Sequence, residues 1–330
     1  MFQILSLSGG GFLGLYSVAV LAEIERQTET KIATHFDLLA GTSIGGIVAL
    51  ALAAEKPAGE IQASFEKHGE RVFGSAPPPR SRSSILRDFM RRFFRSKHDP
   101  NRLRETIEEI IGADTRIGDL KHPVIVPAVN LSRGSPQIFK TPHHQDFRLD
   151  LELRVVDVAL AAAAAPTYFP LAEIGEALYT DGGLFANSPD LLALHEAVHF
   201  FGHPEPDIRI LSVGTTTSQF SFAYSSTRRF GIVHWFRDAR LLNVIIASQQ
   251  RSVDFMLRHR LGDRYLRLDE EQSKEQERIL GLDVATAHAQ RTIKAIAHGT
   301  FQNAVNNPVL QAMLAQQAPQ PRFFHGPNAH

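Results

Sequence analysis

Apolar residues follow two periodicities along this 330-residue chain. Residues 4–7 (ILSL) form a short run of strand length that meets Gly9-Gly10-Gly11, and beyond it Leu15, Val18, Ala19, Leu21 and Ala22 recur at helical spacing. Residues 36–40 and 44–54 repeat the device: a strand, a glycine-bearing turn, then a helix. Further strands are predicted over 122–129, 177–180 and 208–213, the last two followed by a turn and a helical pattern. Long helices are predicted over 230–261 and 284–305, on either side of a short strand at 265–268. Alternation of this kind points to an α/β fold, a central and mostly parallel sheet with helices on both faces.

Two segments break the rhythm. Residues 71–100 carry Pro77-Pro78-Pro79 and a dense basic run, which reads as an insertion over the core at about 71–104. Residues 311–330, rich in Pro, Gln and Asn, are expected to form a flexible tail. The remainder, 1–310, reads as one catalytic domain that turns helical from about 230. The longest apolar stretch, 38–54, is interrupted by Gly41, Thr42, Ser43, Gly45 and Gly46, which suits strand–turn–helix better than a membrane span of about 20 residues. The opening MFQILSLSGG lacks a basic leader region, so a cytoplasmic location is expected.

Composition narrows the chemistry. The chain has 35 Lys+Arg against 35 Asp+Glu, 43% apolar residues, 21% charged residues and no cysteine. That balance excludes a disordered or collagen-like chain, and the lack of cysteine excludes a disulfide framework, thiolate metal sites and a Cys nucleophile. Catalysis must use oxygen or nitrogen groups. Zero net charge argues against a surface built for polyanions, so no nucleic acid polymer is expected as partner.

Gly41-Thr42-Ser43-Ile44-Gly45 is a G-x-S-x-G motif lying between an apolar strand and an apolar helix, where a sharp turn would present the Ser43 hydroxyl at the strand's end. Gly41 and Gly45 are the elbow residues, because a Cβ at either would crowd the neighbouring backbone. A plain helix-capping serine is the competing reading. Gly9-Gly10-Gly11, at the end of a neighbouring strand, can supply backbone N–H donors to an oxyanion. Gly9-x-Gly11-x-x-Gly14 also fits a dinucleotide fingerprint, but the acidic residue wanted at the end of the second strand is absent: Asp37 stands at its start. A proton acceptor is available in Asp181, within Tyr179-Thr180-Asp181-Gly182-Gly183, which would emerge at the same sheet edge as Ser43. His195-Glu196-Ala197-Val198-His199 is a literal H-E-x-x-H, a pattern for zinc peptidases, although no third ligand is placed. His143-His144 and Arg228-Arg229 read as surface residues.

Taken together these residues resemble the patatin-like phospholipase family. Gly9-Gly10-Gly11-x-x-Gly14 is similar to its oxyanion loop, Gly41-Thr42-Ser43-Ile44-Gly45-Gly46 to its elbow, and Asp181-Gly182-Gly183 with Asn187-Ser188-Pro189 and Glu196-Ala197 to its aspartate block. Residues 161–170 (AAAAAPTYFP) resemble the segment that precedes that block. The resemblance implies a three-layer patatin-like fold and a Ser43–Asp181 dyad that needs no metal or cofactor. It further implies an acyl-enzyme route and an oxyanion hole drawn from Gly9, Gly10, Gly11 and Phe12. The family commonly has Asp before the glycines and Arg or Lys before the last one; here these are Ser8 and Leu13, which removes that cation's help. The run Leu5-Ser6-Leu7-Ser8-Gly9-Gly10-Gly11 is similar to bacterial effectors of antiphage defence that a cyclic nucleotide switches on against the host's own membrane lipids. That likeness implies a cyclic dinucleotide activator.

Within the insertion, Ile85, Leu86, Phe89, Met90, Phe93 and Phe94 recur at helical spacing while Arg87, Arg91, Arg92 and Arg95 fall largely on the other face. Such a helix suits a headgroup layer, a lid with a solvated basic face, or the phosphates of an activator. The expected partners are therefore a phospholipid surface at the inner membrane, a cyclic dinucleotide, and a second copy of the chain. A lipid-binding domain without turnover is the alternative from another functional class.

Overall fold

The computed structural model describes residues 1–74, 97–216 and 240–330, with 231 and 235 between them. Arg87, Arg91, Arg92 and Arg95, with most of the basic insertion and Arg228-Arg229, lie outside the described residues.

A sheet of eight strands forms the middle layer. β1 (Phe2–Leu7), β2 (Leu38–Gly41), β3 (Val124–Asn130), β7 (Ile208–Val213) and β8 (Tyr265–Leu268) run parallel in the order β3-β2-β1-β7-β8. β4 (Ser135–Lys140) and β6 (Ala177–Asp181) both pair antiparallel with β3, and β5 (Ala172–Ile174) extends β6. The predicted strand at 177–180 is thus present but reversed relative to β1 and β2. It arrives from beyond the carboxyl end of β3 and stops after three pairs, at Asp181 opposite Ala128.

Alternating strand residues feed two cores. Leu5, Leu7, Leu39 and Val126 face α1 (Gly14–Thr28), α2 (Ile44–Ala53), α3 (Ala58–Phe73), α4 (Pro100–Ile111) and α5 (Val155–Ala162), with α9 (Ala287–Ala304) packed outside α1. Ile4, Leu38, Ala40, Ile125 and Ile210 face α7 (Asp190–His199) and α8 (Arg240–Leu261), which supply Ala193, Leu194, Ala197, Leu257 and Leu261. A short α6 (Gly183–Ala186) links β6 to α7. All ten residues of α2 are buried, so this helix is apolar on every side and its rigidity comes from the core around it. Each of its large aliphatic side chains contributes roughly 1.5–3 kcal/mol by leaving water.

The expected loose tail is instead a docked arm. α10 (Pro308–Leu314) buries Leu310 and Met313, and Phe323 is 3% exposed. Asn328 donates from its side chain to the carbonyls of Gly118 (3.0 Å) and Leu120 (3.1 Å). Proline and glutamine content suggests disorder, but two apolar anchors within 311–330, Met313 and Phe323, and these backbone contacts outweigh composition over so short a segment.

Candidate active site

Parallel register brings the chemistry together. Ala40 of β2 pairs with Ile125 of β3, so Ser43, three residues on, is level with Ala128, whose partner on β6 is Asp181. The turn after β2 is tight enough that Ser43 adopts φ 55° and ψ −125°, a positive-φ conformation uncommon for a side-chain-bearing residue. Glycine is required on both sides: a Cβ on Gly41 would overlap the carbonyl of Gly45, and one on Gly45 would overlap the carbonyl of Leu7.

The Ser43 side chain lines the same cleft as the Asp181 carboxylate and is near enough to favour its charged form. Asp181 is 5% exposed and also accepts the Gly183 N–H at 2.7 Å. Its own N–H donates to Ala164 at 3.1 Å, so the alanine-rich segment sets the position of the carboxylate. Burial pushes the Asp181 carboxyl up to about 6, against the opposing pull of the Ser43 and Gly183 hydrogen bonds. The shift makes it a better base than an ordinary carboxylate while leaving it ionised at neutral pH.

Of the four candidate oxyanion donors in the glycine loop, two are already spent within the fold. Gly9 N–H donates to Asn187 O (2.9 Å) and Phe12 N–H to Leu282 O (2.7 Å), so neither is available to a substrate. Gly10 and Gly11 line the same cleft as Ser43 and Asp181, and their N–H groups have no acceptor among the described residues. Gly11 has φ +55°, and a Cβ there would collide with the Leu282 carbonyl. The loop is pinned from behind, where Asn187 Nδ2 (3.2 Å) and Thr215 Oγ1 (3.1 Å) both donate to the Gly9 carbonyl. Neither pinning role was visible in sequence. Asn187 belonged to a recognised block, but Thr215 sits 206 residues from Gly9 and carries no local signal.

Beyond the dyad the cleft is apolar, walled by Ile44, Ile47, Phe73, Leu103, Phe169, Leu184, Leu242, Ile246 and Leu282. That lining suits an acyl chain. Ser8 and Leu13, the two departures from the family pattern, are both buried; Ser8 Oγ lies 2.9 Å from Ser188 Oγ. A cation does sit beneath this loop, since the 8%-exposed Arg267 side chain reaches Ser188 (3.3 Å), Ser212 (2.8 Å) and Asp269 (2.7 Å). Its charge is answered by Asp269 and Asp190.

The H-E-x-x-H segment serves another end. Glu196 is 2% exposed and bound by Lys140 (2.6 Å) and His143 (3.0 Å), whereas His195 and His199 point outward. The residue that would be a zinc peptidase's base is therefore held in an ion pair on the inner face of α7, and no group of three metal-ligating residues occurs among the described residues. His143, read from sequence as a surface residue, is buried, with its ring stacked on Phe201.

A patatin-like phospholipase family model matches residues 5–194, which holds the glycine loop, elbow and aspartate together. The chain belongs to the patatin-like phospholipase family. Within curated proteins, a cGAMP-activated phospholipase of Pseudomonas aeruginosa is 44% identical over 99% of this chain and 96% of its own length. Proteins of the same name from Vibrio cholerae (86% of each chain) and Escherichia coli (89% of this chain, 86% of its own) are each 37% identical. This patatin-like chain thus aligns over almost its whole length with relatives of that description. Among the described residues no helix is long and apolar enough to cross a membrane.

Proposed function

We propose that this chain is a phospholipase that cleaves acyl esters of membrane glycerophospholipids through Ser43 and Asp181 and is switched on by a cyclic dinucleotide. The observation that carries the chemistry is the positive-φ Ser43 beside a buried carboxylate in one apolar cleft. Ser43 Oγ attacks the ester carbonyl as its proton passes to Asp181. The N–H groups of Gly10 and Gly11 hold the resulting oxyanion. Collapse expels the lysophospholipid alcohol, which takes the proton from Asp181, and leaves an acyl-Ser43 ester. Water repeats the sequence: Asp181 accepts its proton, the acyl group leaves as a fatty acid, and Ser43 regains its hydrogen. No cofactor takes part.

Activation is supported by the relatives named cGAMP-activated phospholipases, which span nearly all of this chain. In this reading the enzyme acts from the cytoplasm on the inner membrane surface as an effector of antiphage defence, with Arg87, Arg91, Arg92 and Arg95 meeting lipid phosphates. Fatty acid release from phosphatidylethanolamine/phosphatidylglycerol vesicles, with and without cGAMP, tests it. Release should require cGAMP and be absent from Ser43→Ala and Asp181→Asn. Full activity in either variant would remove the dyad, and release indifferent to cGAMP would remove the switch.

A further inference from the structure

At the opposite edge of the sheet from Ser43 lies a second cavity, of about 510 Å³, that the hydrolytic chemistry does not use. Its walls are the starts of β1, β2 and β3, at Phe2, Asp37 and Pro123, together with Phe200 and Phe201 at the end of α7. The C-terminal arm closes it as a strap tied at both ends: Ala318 N–H donates to Thr34 O (2.8 Å) and Phe324 N–H to Pro142 O (2.8 Å). Between those ties residues 319–322 span the opening. The volume falls within the range of roughly 300–1,000 Å³ that small-molecule and cofactor sites occupy.

The lining is specific in kind. Aromatic rings give flat faces, with His143 stacked on Phe201 at 4.8 Å and Phe2 packed between Phe201 (4.8 Å) and His203 (4.7 Å). Arg322 lies over the Phe324 ring at 4.6 Å, on the exposed strap, where its guanidinium can take a phosphodiester. Asp37 offers a half-buried carboxylate that can accept base N–H groups, and His122 adds a further ring nitrogen. Rings for stacking, a guanidinium for phosphate and a carboxylate for a base edge are the needs of a purine nucleotide. A lipid acyl chain needs none of the polar groups.

A mechanical link runs from this cavity to the oxyanion loop. His143 in the cavity wall bonds Glu196 near the end of α7 at 3.0 Å, and Phe200 and Phe201 follow directly. At the other end of the same helix, about 15 Å away by its length, Asp190 is fixed by Ser212 and Tyr265 (2.8 Å each), and the adjoining Asn187 grips Gly9. A ligand that shifts Phe200 and His143 would push on this helix, whose far end adjoins the Asn187 contacts with Gly9, next to Gly10 and Gly11.

We propose that this strapped cavity is the binding site of the activating cyclic dinucleotide; the inference rests on the activated-phospholipase reading above. The test is calorimetric titration of cGAMP into the full chain carrying Ser43→Ala, alone and combined with Arg322→Gln, Phe324→Ala or the cavity-filling Ala318→Trp. Near-ultraviolet circular dichroism and melting temperature confirm folding of each; Arg322 is exposed, so its variant is the one least able to perturb the core. Loss of a charge-assisted contact predicts binding about ten- to a hundredfold weaker in Arg322→Gln, and undetectable binding in Ala318→Trp. Wild-type affinity in all three variants overturns the cavity assignment while leaving activation by cGAMP intact. If the unaltered chain neither binds cGAMP nor responds to it on vesicles, the activation reading itself fails and the cavity assignment falls with it.

Discussion

Asp181→Asn separates what this carboxylate does for catalysis from what it does to the fold. Burial lifts the Asp181 carboxyl from 3.8 to about 6, so at pH 8 the folded protein holds an ionised group that the unfolded chain would hold more easily. The difference is worth about 3 kcal/mol against folding. The sign follows from the raised value: the penalty is full above pH 6, shrinks as Asp181 takes up its proton through that pH, and is gone below about 4. Asparagine removes the charge yet keeps both contacts, its oxygen accepting from Gly183 N–H and its amide donating to Ser43. The variant should therefore be more stable than the parent at pH 8, by up to about 3 kcal/mol, with the gain falling to about 0.5 kcal/mol at pH 4. Hydrolysis should fall by about 10²–10⁴. Urea denaturation at pH 8, 7, 6 and 4, beside fatty acid release at pH 8, gives both quantities. A variant no more stable at pH 8, or one whose gain is the same at every pH, would refute the buried-charge account of this site.

The same carboxyl should give the unaltered enzyme a kcat/KM that is half-maximal near pH 6 on the acid side, read from a pH–rate profile on a soluble ester. Thr215→Val removes one of two donors to the Gly9 carbonyl and should lower kcat several-fold, about 1 kcal/mol, with KM little changed; an unaltered kcat would show that Asn187 suffices. Gly11→Ala forces a methyl group into the Leu282 carbonyl at positive φ and should abolish hydrolysis, with cGAMP binding retained as evidence of folding. Glu196→Gln strips the charge that faces half-buried Lys140 and buried His143 and should destabilise the protein by about 3 kcal/mol in urea. His195→Ala/His199→Ala, on the outer face of the same helix, should leave stability and hydrolysis unchanged, and loss of activity there would reopen the zinc reading.

Local signals were strong where backbone geometry itself demands a residue type. The elbow around Ser43 and the loop at Gly9-Gly10-Gly11 were legible because only glycine fits turns that press one backbone against another, so their positions survive translation into sequence. The two β-turn-α units were legible for the same reason, aided by clean changes of period. β4 and β5 escaped notice because half-exposed edge segments such as SPQIFK and the three-residue AEI carry little periodicity. The C-terminal arm was misjudged because a few buried anchors decide its fate, and composition averages over them.

The sequence by itself determined the candidate nucleophile, its candidate base and the glycine-flanked turn that holds the serine, since each is a short stretch whose chemistry and conformation are set by neighbours along the chain. Tertiary structure decided the rest. It left two of the four candidate oxyanion donors open by spending the N–H groups of Gly9 and Phe12 on Asn187 and Leu282. It turned a zinc-like motif into an ion pair across two elements, and folded the last residues over a cavity at the far edge of the sheet. These outcomes depend on which distant groups compete for one donor or one carboxylate, and that competition exists only once strands 30 to 200 residues apart lie side by side.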